Sequence, residues 1–248
     1  MDLHLCHDAA HGGGVWTGRA TAGCCVFRSV VVERTNVAVG CCLIARDAGC
    51  SLSAIREKRL NGAHTVIETA HLTLRPYSPD QLLALIEQPE RFEAVAGFPA
   101  ADGLRQFMVS DDVSLDWLPG LRASRGRPPD PWVDGFAVVH RDGGVIIGNA
   151  GFKGPPDQGG MVEIAYGIVP AFEGRGFATE AATALVAFAF ASERVRLVRA
   201  HTLPAYNAST RVLAKCGFHF VGDVVDPDDG PVWRWERRAQ SLDHGGTP

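Results

Sequence analysis

The sequence predicts a single α/β domain, with strands and helices interleaved along most of the chain and a segment of different character in front. Three observations carry this. From about Glu68 onward, strand-like and helix-like apolar periods take turns. A β-branched run, Ile164 to Val169, stops at Pro170 and passes through a loop with two glycines into an alanine-rich helix. Two pairs of strand-like runs are separated by short turn-rich segments, the mark of hairpins. With 248 residues, 46% of them hydrophobic, the chain can bury one full core with residues left over.

The elements follow in order. His71 to Pro76 alternates like a strand and ends at proline. Ser78-Pro79-Asp80 starts a helix, with Pro at an early position and Leu82, Leu83, Leu85 and Ile86 along it. Glu90 to Ser124 reads as helix in pieces, broken near Gly97-Phe98-Pro99 and Pro119-Gly120, and Arg125 to Pro131 reads as a loop. Gly135 to His140 and Val145 to Phe152 form a hairpin across Arg141-Asp142-Gly143-Gly144. After a turn-rich stretch, Val162 to Val169 is the next strand, followed by the loop and its helix. Val195 to His201 is a strand, and a helix starting at Asn207 closes at Gly217. Phe218 to Val225 and Val232 to Arg237 make a last hairpin. The division expected is an extension over 1–67, poorly ordered; the domain over 68–238; and a flexible tail over 239–248.

Six of the seven cysteines fall in that extension: Cys6, Cys24, Cys25, Cys41, Cys42 and Cys50. His4, His7 and His11 near Cys6 raise a zinc site as one reading. The adjacent pairs Cys24-Cys25 and Cys41-Cys42 lack the spacing a structural zinc needs, so no metal is expected. Val26 to Val32 and Val37 to Ala45 are candidate strands. A net charge of -4 gives no nucleic-acid footprint. The longest apolar run, Ala181 to Ala191, is too short to span a membrane, and the first residues do not read as a secretory signal. The expectation is a cytoplasmic protein, monomer or homodimer.

The loop after Val169 carries the chemistry. A strand, a Gly-x-Gly turn and a helix start present free backbone N–H groups at the positive end of a helix dipole, which suits a phosphate. Gly174 and Gly176 let the backbone approach an anion, and Arg175 adds a charge. No Lys-Ser or Lys-Thr follows, so this is not a nucleoside-triphosphate loop. Thr179 stands where a dinucleotide fingerprint needs its third glycine.

The stretch Glu173-Gly174-Arg175-Gly176-Phe177-Ala178 resembles the acyl-CoA pyrophosphate loop of the GNAT N-acetyltransferases, Q/R-x-x-G-x-G/A, with Glu173 departing at its first position. The Thr-Glu-Ala-Ala that follows is common in the branch resembling ribosomal-protein N-terminal acetyltransferases. About thirty residues on, Asn207, Ser209, Leu213 and Gly217-Phe218 resemble that branch's N-x-x-S-x-x-x-L-x-x-x-G-F pattern with slightly shifted offsets. The resemblance covers roughly Glu68 to Arg238. It implies a mixed, mostly antiparallel sheet flanked by helices and splayed between the strands ending at Val169 and near His201. Acetyl-CoA would lie in the opening, its pantetheine pairing with the backbone of Ile168 and Val169. Its pyrophosphate would sit on Gly174, Arg175, Gly176, Phe177 and Ala178, with Asn207 bonding the pantetheine or holding the substrate end of its helix.

The resemblance also implies the reaction, transfer of an acetyl group to a primary amine on a protein N-terminus or a small molecule. The amine must lose a proton and the departing thiolate gain one. Glu163, within Glu163-Ile164-Ala165-Tyr166, is the candidate base, its pKa expected to rise by partial burial; the other reading is a solvent-facing residue on an alternating strand. Leu213 occupies the position of the usual Tyr acid, which leaves Ser209 and then Tyr206 as candidates. Cys216 reads as core. Trp117 and Trp132 read either as lining for the acceptor or as core. Asp111, Asp112 and Asp116 read either as a lure for a cationic acceptor or as a solvated face. Two other classes stay open: a non-catalytic acyl-CoA-binding regulatory module of the same fold, and an interaction domain that uses the extension.

Overall fold

The computed structural model describes residues 56–60, 64–109, 115–227 and 229–239. The cysteine-rich segment with its candidate zinc ligands and strands, Asp111, Asp112 and the tail beyond 239 lie outside the described residues. Strands β1 (Arg56–Leu60), β2 (His64–Glu68) and β3 (Leu72–Pro76) come first. Four short helices follow, α1 (Pro79–Glu87), α2 (Phe92–Ala96), α3 (Gln106–Val109) and α4 (Leu118–Ala123). The chain continues as β4 (Phe136–His140), β5 (Val145–Phe152), β6 (Met161–Ile168), α5 (Phe177–Phe190), β7 (Leu197–Thr202), α6 (Ala208–Lys215), β8 (His219–Asp226) and β9 (Gly230–Arg238).

These strands form one sheet in the order β1-β2-β3-β4-β5-β6-β7-β9-β8. Every pairing is antiparallel except β6 with β7. The expected α/β class, with a mixed and mostly antiparallel sheet flanked by helices, is what the chain adopts.

The boundary expected at residue 68 falls inside the sheet. β1 pairs with β2 from Arg56↔Glu68 to Leu60↔His64, and β2 passes the ladder on to β3. Periodicity hid both strands. Val66 and Ile67 are adjacent rather than alternating, and both are buried. The run Arg56-Glu57-Lys58-Arg59 has no apolar member at all, so only its partner strand makes it a strand.

Local chemistry explains the helix starts. Ser78 caps α1 in a reciprocal capping box with Gln81, and Pro79 takes the first position, where a missing N–H costs nothing. Asn207 caps α6 the same way with Thr210. α5 has no side-chain cap: its N-cap is Gly176 in the left-handed region.

The core packs the sheet against its helices, with Leu82, Leu85 and Phe92 from α1 and α2, Leu121 from α4, and α5 contributing most. Phe188 packs on Phe136 at 5.5 Å and on Phe152 at 5.9 Å, and Trp132 joins at 4.6 Å from Phe152. Trp132 is therefore half-buried against the core, and Trp117 packs against it too. Glu180, in the first turn of α5, ties the helix to the turn before β3. Its carboxylate accepts from Thr69 Oγ1 at 2.6 Å and from the His71 N–H at 2.8 Å. That bond set fixes where the helix N-terminus points.

Candidate active site

The parallel pairing of β6 with β7 covers only Met161↔Leu197, Val162↔Val198 and Glu163↔Arg199. Beyond it the strands diverge, β6 running to Ile168 and β7 to Thr202. The expected V-shaped opening is present, with Glu163 at its apex. Strand alternation says which backbone groups face it. The Glu163 carbonyl accepts from the Lys153 N–H and the Val169 N–H donates to the Ile147 carbonyl, so odd positions of β6 point toward β5. Ile164, Tyr166 and Ile168 thus turn their N–H and C=O toward the opening.

Ile168 lines the cleft with its backbone turned toward it. Val169 turns away: it is fully buried, its N–H donates to the Ile147 carbonyl, and its carbonyl accepts from Phe172. A proline at 170 forces a short 3-10 turn, Pro170–Phe172, which takes that carbonyl.

The opening leads into a cleft of about 610 Å³ between the starts of α5 and α6, with Tyr166, Gly167 and Ile168 on its floor. Gly174, Gly176, Phe177, Ala178 and Thr179 line one side. Gly174 and Gly176 have φ of 73° and 87°, a conformation that non-glycine residues rarely adopt. Among the described residues, the N–H groups from Gly174 to Thr179 have no backbone or side-chain acceptor; Glu180 is the first to bond back, to the Gly176 carbonyl. A fan of free donors at a helix N-terminus is an anion site in the making. Arg175 does not join it. Its guanidinium donates to the Ala171 carbonyl at 3.2 Å and lies over the Phe172 ring at 5.3 Å.

Asn207, Ala208 and Ser209 line the opposite side, at the start of α6. The Asn207 amide oxygen is taken by the Thr210 N–H at 3.0 Å, so only its NH2 is left for a ligand. Ser209 faces the cleft in the first helical turn. Tyr206, the second acid candidate, does not. It is 87% exposed and its ring stacks edge-on against Trp233 at 5.0 Å, because the backbone before the cap turns its side chain outward. Leu213 and Cys216 are core.

Sequence reasoning missed Arg211 and Lys215. Both line the cleft, and their i, i+4 spacing on α6 was the available signal. It also missed Phe107 of α3, whose ring lies so close to Gly167 that a Cβ there would come within 3.2 Å of it.

Glu163 does not face solvent. At the apex its carboxylate takes Lys153 Nζ at 2.8 Å and His201 Nδ1 at 3.1 Å, both on one oxygen, in a site where all three side chains are mostly buried. Lys153 reaches onward to Asp229 at 3.4 Å, and His201 lies 3.8 Å from Asp226. The expected rise in the Glu163 pKa is reversed. Burial pushes it up, but the His201 hydrogen bond and the Lys153 charge outweigh burial and hold the carboxyl below its ordinary value. Burial likewise pushes Lys153 down, and Glu163, Asp229 and Asp226 together carry it above its ordinary value. Burial first, and the neighbouring Cys216 second, lift the Tyr166 phenol, whose hydroxyl is buried with no partner among the described residues.

Two depressed carboxyls give a pH prediction. Burial opposes ionisation of Glu180 as well, but the hydrogen bonds from Thr69 and His71 hold it below its ordinary value. Both groups therefore bind protons more weakly in the fold than in the unfolded chain. Their stabilisation is complete above the ordinary glutamate value of 4.5 and is lost as pH falls through the lower folded values. Melting temperature should fall on acidification below that value, and Glu180→Gln should flatten the fall. An unchanged acid slope in this variant would count against the bond set drawn for Glu180.

A family model described as an acetyltransferase (GNAT) domain matches residues 71–219. Among curated proteins, the uncharacterized N-acetyltransferase YjdG of Bacillus subtilis (strain 168) is 33% identical over 85 residues, which is 34% of this chain and 51% of that protein. The chain spans about half the length of the curated relatives it matches. A GNAT-family acetyltransferase from Bacillus anthracis resembles the fold at 16% identity and TM-score 0.48, over 70% of this chain and 98% of that one. The ribosomal alpha-N-protein acetyltransferase RimL in complex with coenzyme A does so at 16% identity and TM-score 0.48, over 70% of this chain and 97% of its own.

Proposed function

The chain belongs to the GNAT acetyltransferase family, and from that premise we propose that it moves an acetyl group from acetyl-CoA to a primary amine. The observation that supports this reading best is the pairing of a splayed sheet with a fan of free donors. The N–H groups from Gly174 to Thr179 suit a pyrophosphate, and Arg211 and Lys215 add two cations across the cleft. The outward N–H and C=O groups of Tyr166 and Ile168 suit an extended amide-bearing arm, which they would bind as a strand binds its neighbour. The residues fit the group that the family implies. Bound there, acetyl-CoA supplies an activated thioester, so the chain's work is to orient it, exclude water and manage protons.

The roles follow from position. Glu163 at the apex is the anion of the amine-activating end. Ser209, facing the cleft from α6, stands where a hydroxyl can give a proton to the departing sulfur. Asn207 keeps its NH2 for a carbonyl of the arm.

Calorimetric titration of the full chain with acetyl-CoA tests the reading. Saturable binding is expected, weakened at least tenfold in an Arg211→Ala, Lys215→Ala double variant and more at low salt than at high salt. An absence of binding would remove the acetyltransferase reading. Binding without thiol release against peptide N-termini, polyamines and aryl-alkyl amines would favour a regulatory module.

A further inference from the structure

One side chain beside the apex of the V has no role in the reading above. His201 lies two residues beyond Arg199, the last β7 residue paired with β6, and on the same face as Glu163. Its side chain is 5% exposed. Nδ1 stands 3.1 Å from a Glu163 carboxylate oxygen, which can only accept, so Nδ1 carries the proton. Nε2 is left as the acceptor nitrogen, buried and with no partner among the described residues. A buried acceptor with nothing to accept from costs stability, and native structures keep few of them. The groups around it are Lys153 just past the end of β5, Glu163 from β6, Asp226 from β8, Asp229 from the β8–β9 turn, and Arg234, its register partner on β9.

We propose that His201 Nε2 takes the proton from the acceptor ammonium, while Glu163 holds the ring in the required tautomer. This rests on the acetyltransferase reading and assigns its proton acceptor. Glu163 is the poorer base because Lys153 and His201 already occupy one of its oxygens. The ammonium gives one proton to Nε2, and its freed lone pair forms the C–N bond at the thioester carbonyl. The C–S bond breaks with its electron pair on sulfur. Ser209 gives its proton to that sulfur, the second proton of the attacking nitrogen restores the Ser209 hydroxyl, and His201 returns the first to solvent. The arrangement is the carboxylate–imidazole pair used wherever a ring must accept a proton at one nitrogen while being oriented through the other.

Two readouts test it on the full chain. With ¹⁵N-labelled histidine and bound acetyl-CoA, long-range NMR correlations should show His201 protonated at Nδ1 and bare at Nε2. In thiol-release assays with a peptide N-terminus, spermidine and tyramine as probes, His201→Gln should lower kcat by about 10²–10⁴-fold. Acetyl-CoA binding should stay unchanged, and the acid limb of the pH–rate profile should disappear. Added imidazole should restore part of the rate in His201→Ala but not in Glu163→Ala. A proton on Nε2, or a His201→Gln variant that turns over like the parent, overturns the assignment and leaves the acetyltransferase reading standing. A parent that binds no acetyl-CoA takes both down together.

Discussion

Gly176→Val should reduce acetyl-CoA binding by at least a hundredfold while leaving the fold in place. Gly176 has φ of 87° and caps α5 without a side chain. An L-residue held in that region costs about 1–2 kcal/mol, and a β-branched one sits at the upper end. A Cβ built there meets no other atom within 4 Å, so the strain is conformational rather than a clash, and melting should fall only a few degrees. The loop can relieve it only by rotating its peptides, and those peptides carry the free N–H groups. Losing two bonds to a charged group at about 1.5–3 kcal/mol each exceeds two decades in affinity. Gly126→Val is the matched control: φ is 74°, a Cβ again meets nothing, and the site is remote from the cleft. Equal affinities for the parent and Gly176→Val in calorimetry would show that the loop does not hold the pyrophosphate.

That loop was readable in the sequence because its chemistry is local. Strand, proline, glycines and helix follow one another within fifteen residues, and each leaves its own mark. The same holds for the Asn207 cap and the hairpins. What could not be read comes from distant parts of the chain. β1 is a strand only through β2. Lys153, Glu163, His201, Asp226 and Asp229 span 76 residues between the ends of the Lys153–Asp229 ion pair, and only the sheet order brings them together. Of the two readings open for Glu163 the buried one holds, yet the sign of its shift depends on the Lys153 charge and the His201 hydrogen bond, which periodicity could not place beside it. Tyr206 and Val169 failed for a related reason. Neighbours in sequence take different directions once a cap or a 3-10 turn intervenes, and spacing alone does not tell which.

The same cluster gives the second large effect, on stability as well as turnover. Removing one partner from a buried ion pair costs about 3–5 kcal/mol, since the other charge stays behind without water. Glu163→Ala leaves Lys153 Nζ and His201 Nδ1 facing a gap, with Asp229 at 3.4 Å giving Lys153 some compensation. The lower end of the range is therefore expected, near 3 kcal/mol, or roughly 6–12 °C in melting temperature for a domain of this size. Lys153→Met removes a cation from two carboxylates and should also destabilise. The double variant separates pairing from packing: if the carboxylate and ammonium stabilise each other, it should be more stable than the sum of the single effects by at least about 1 kcal/mol. Strict additivity, within about 0.5 kcal/mol, would mean that they act independently. Turnover should not follow stability. Lys153→Met leaves the Glu163–His201 contact intact and should retain activity. The double variant, although more stable than the sum predicts, should stay as slow as Glu163→Ala, because the imidazole has lost the carboxylate that sets its tautomer.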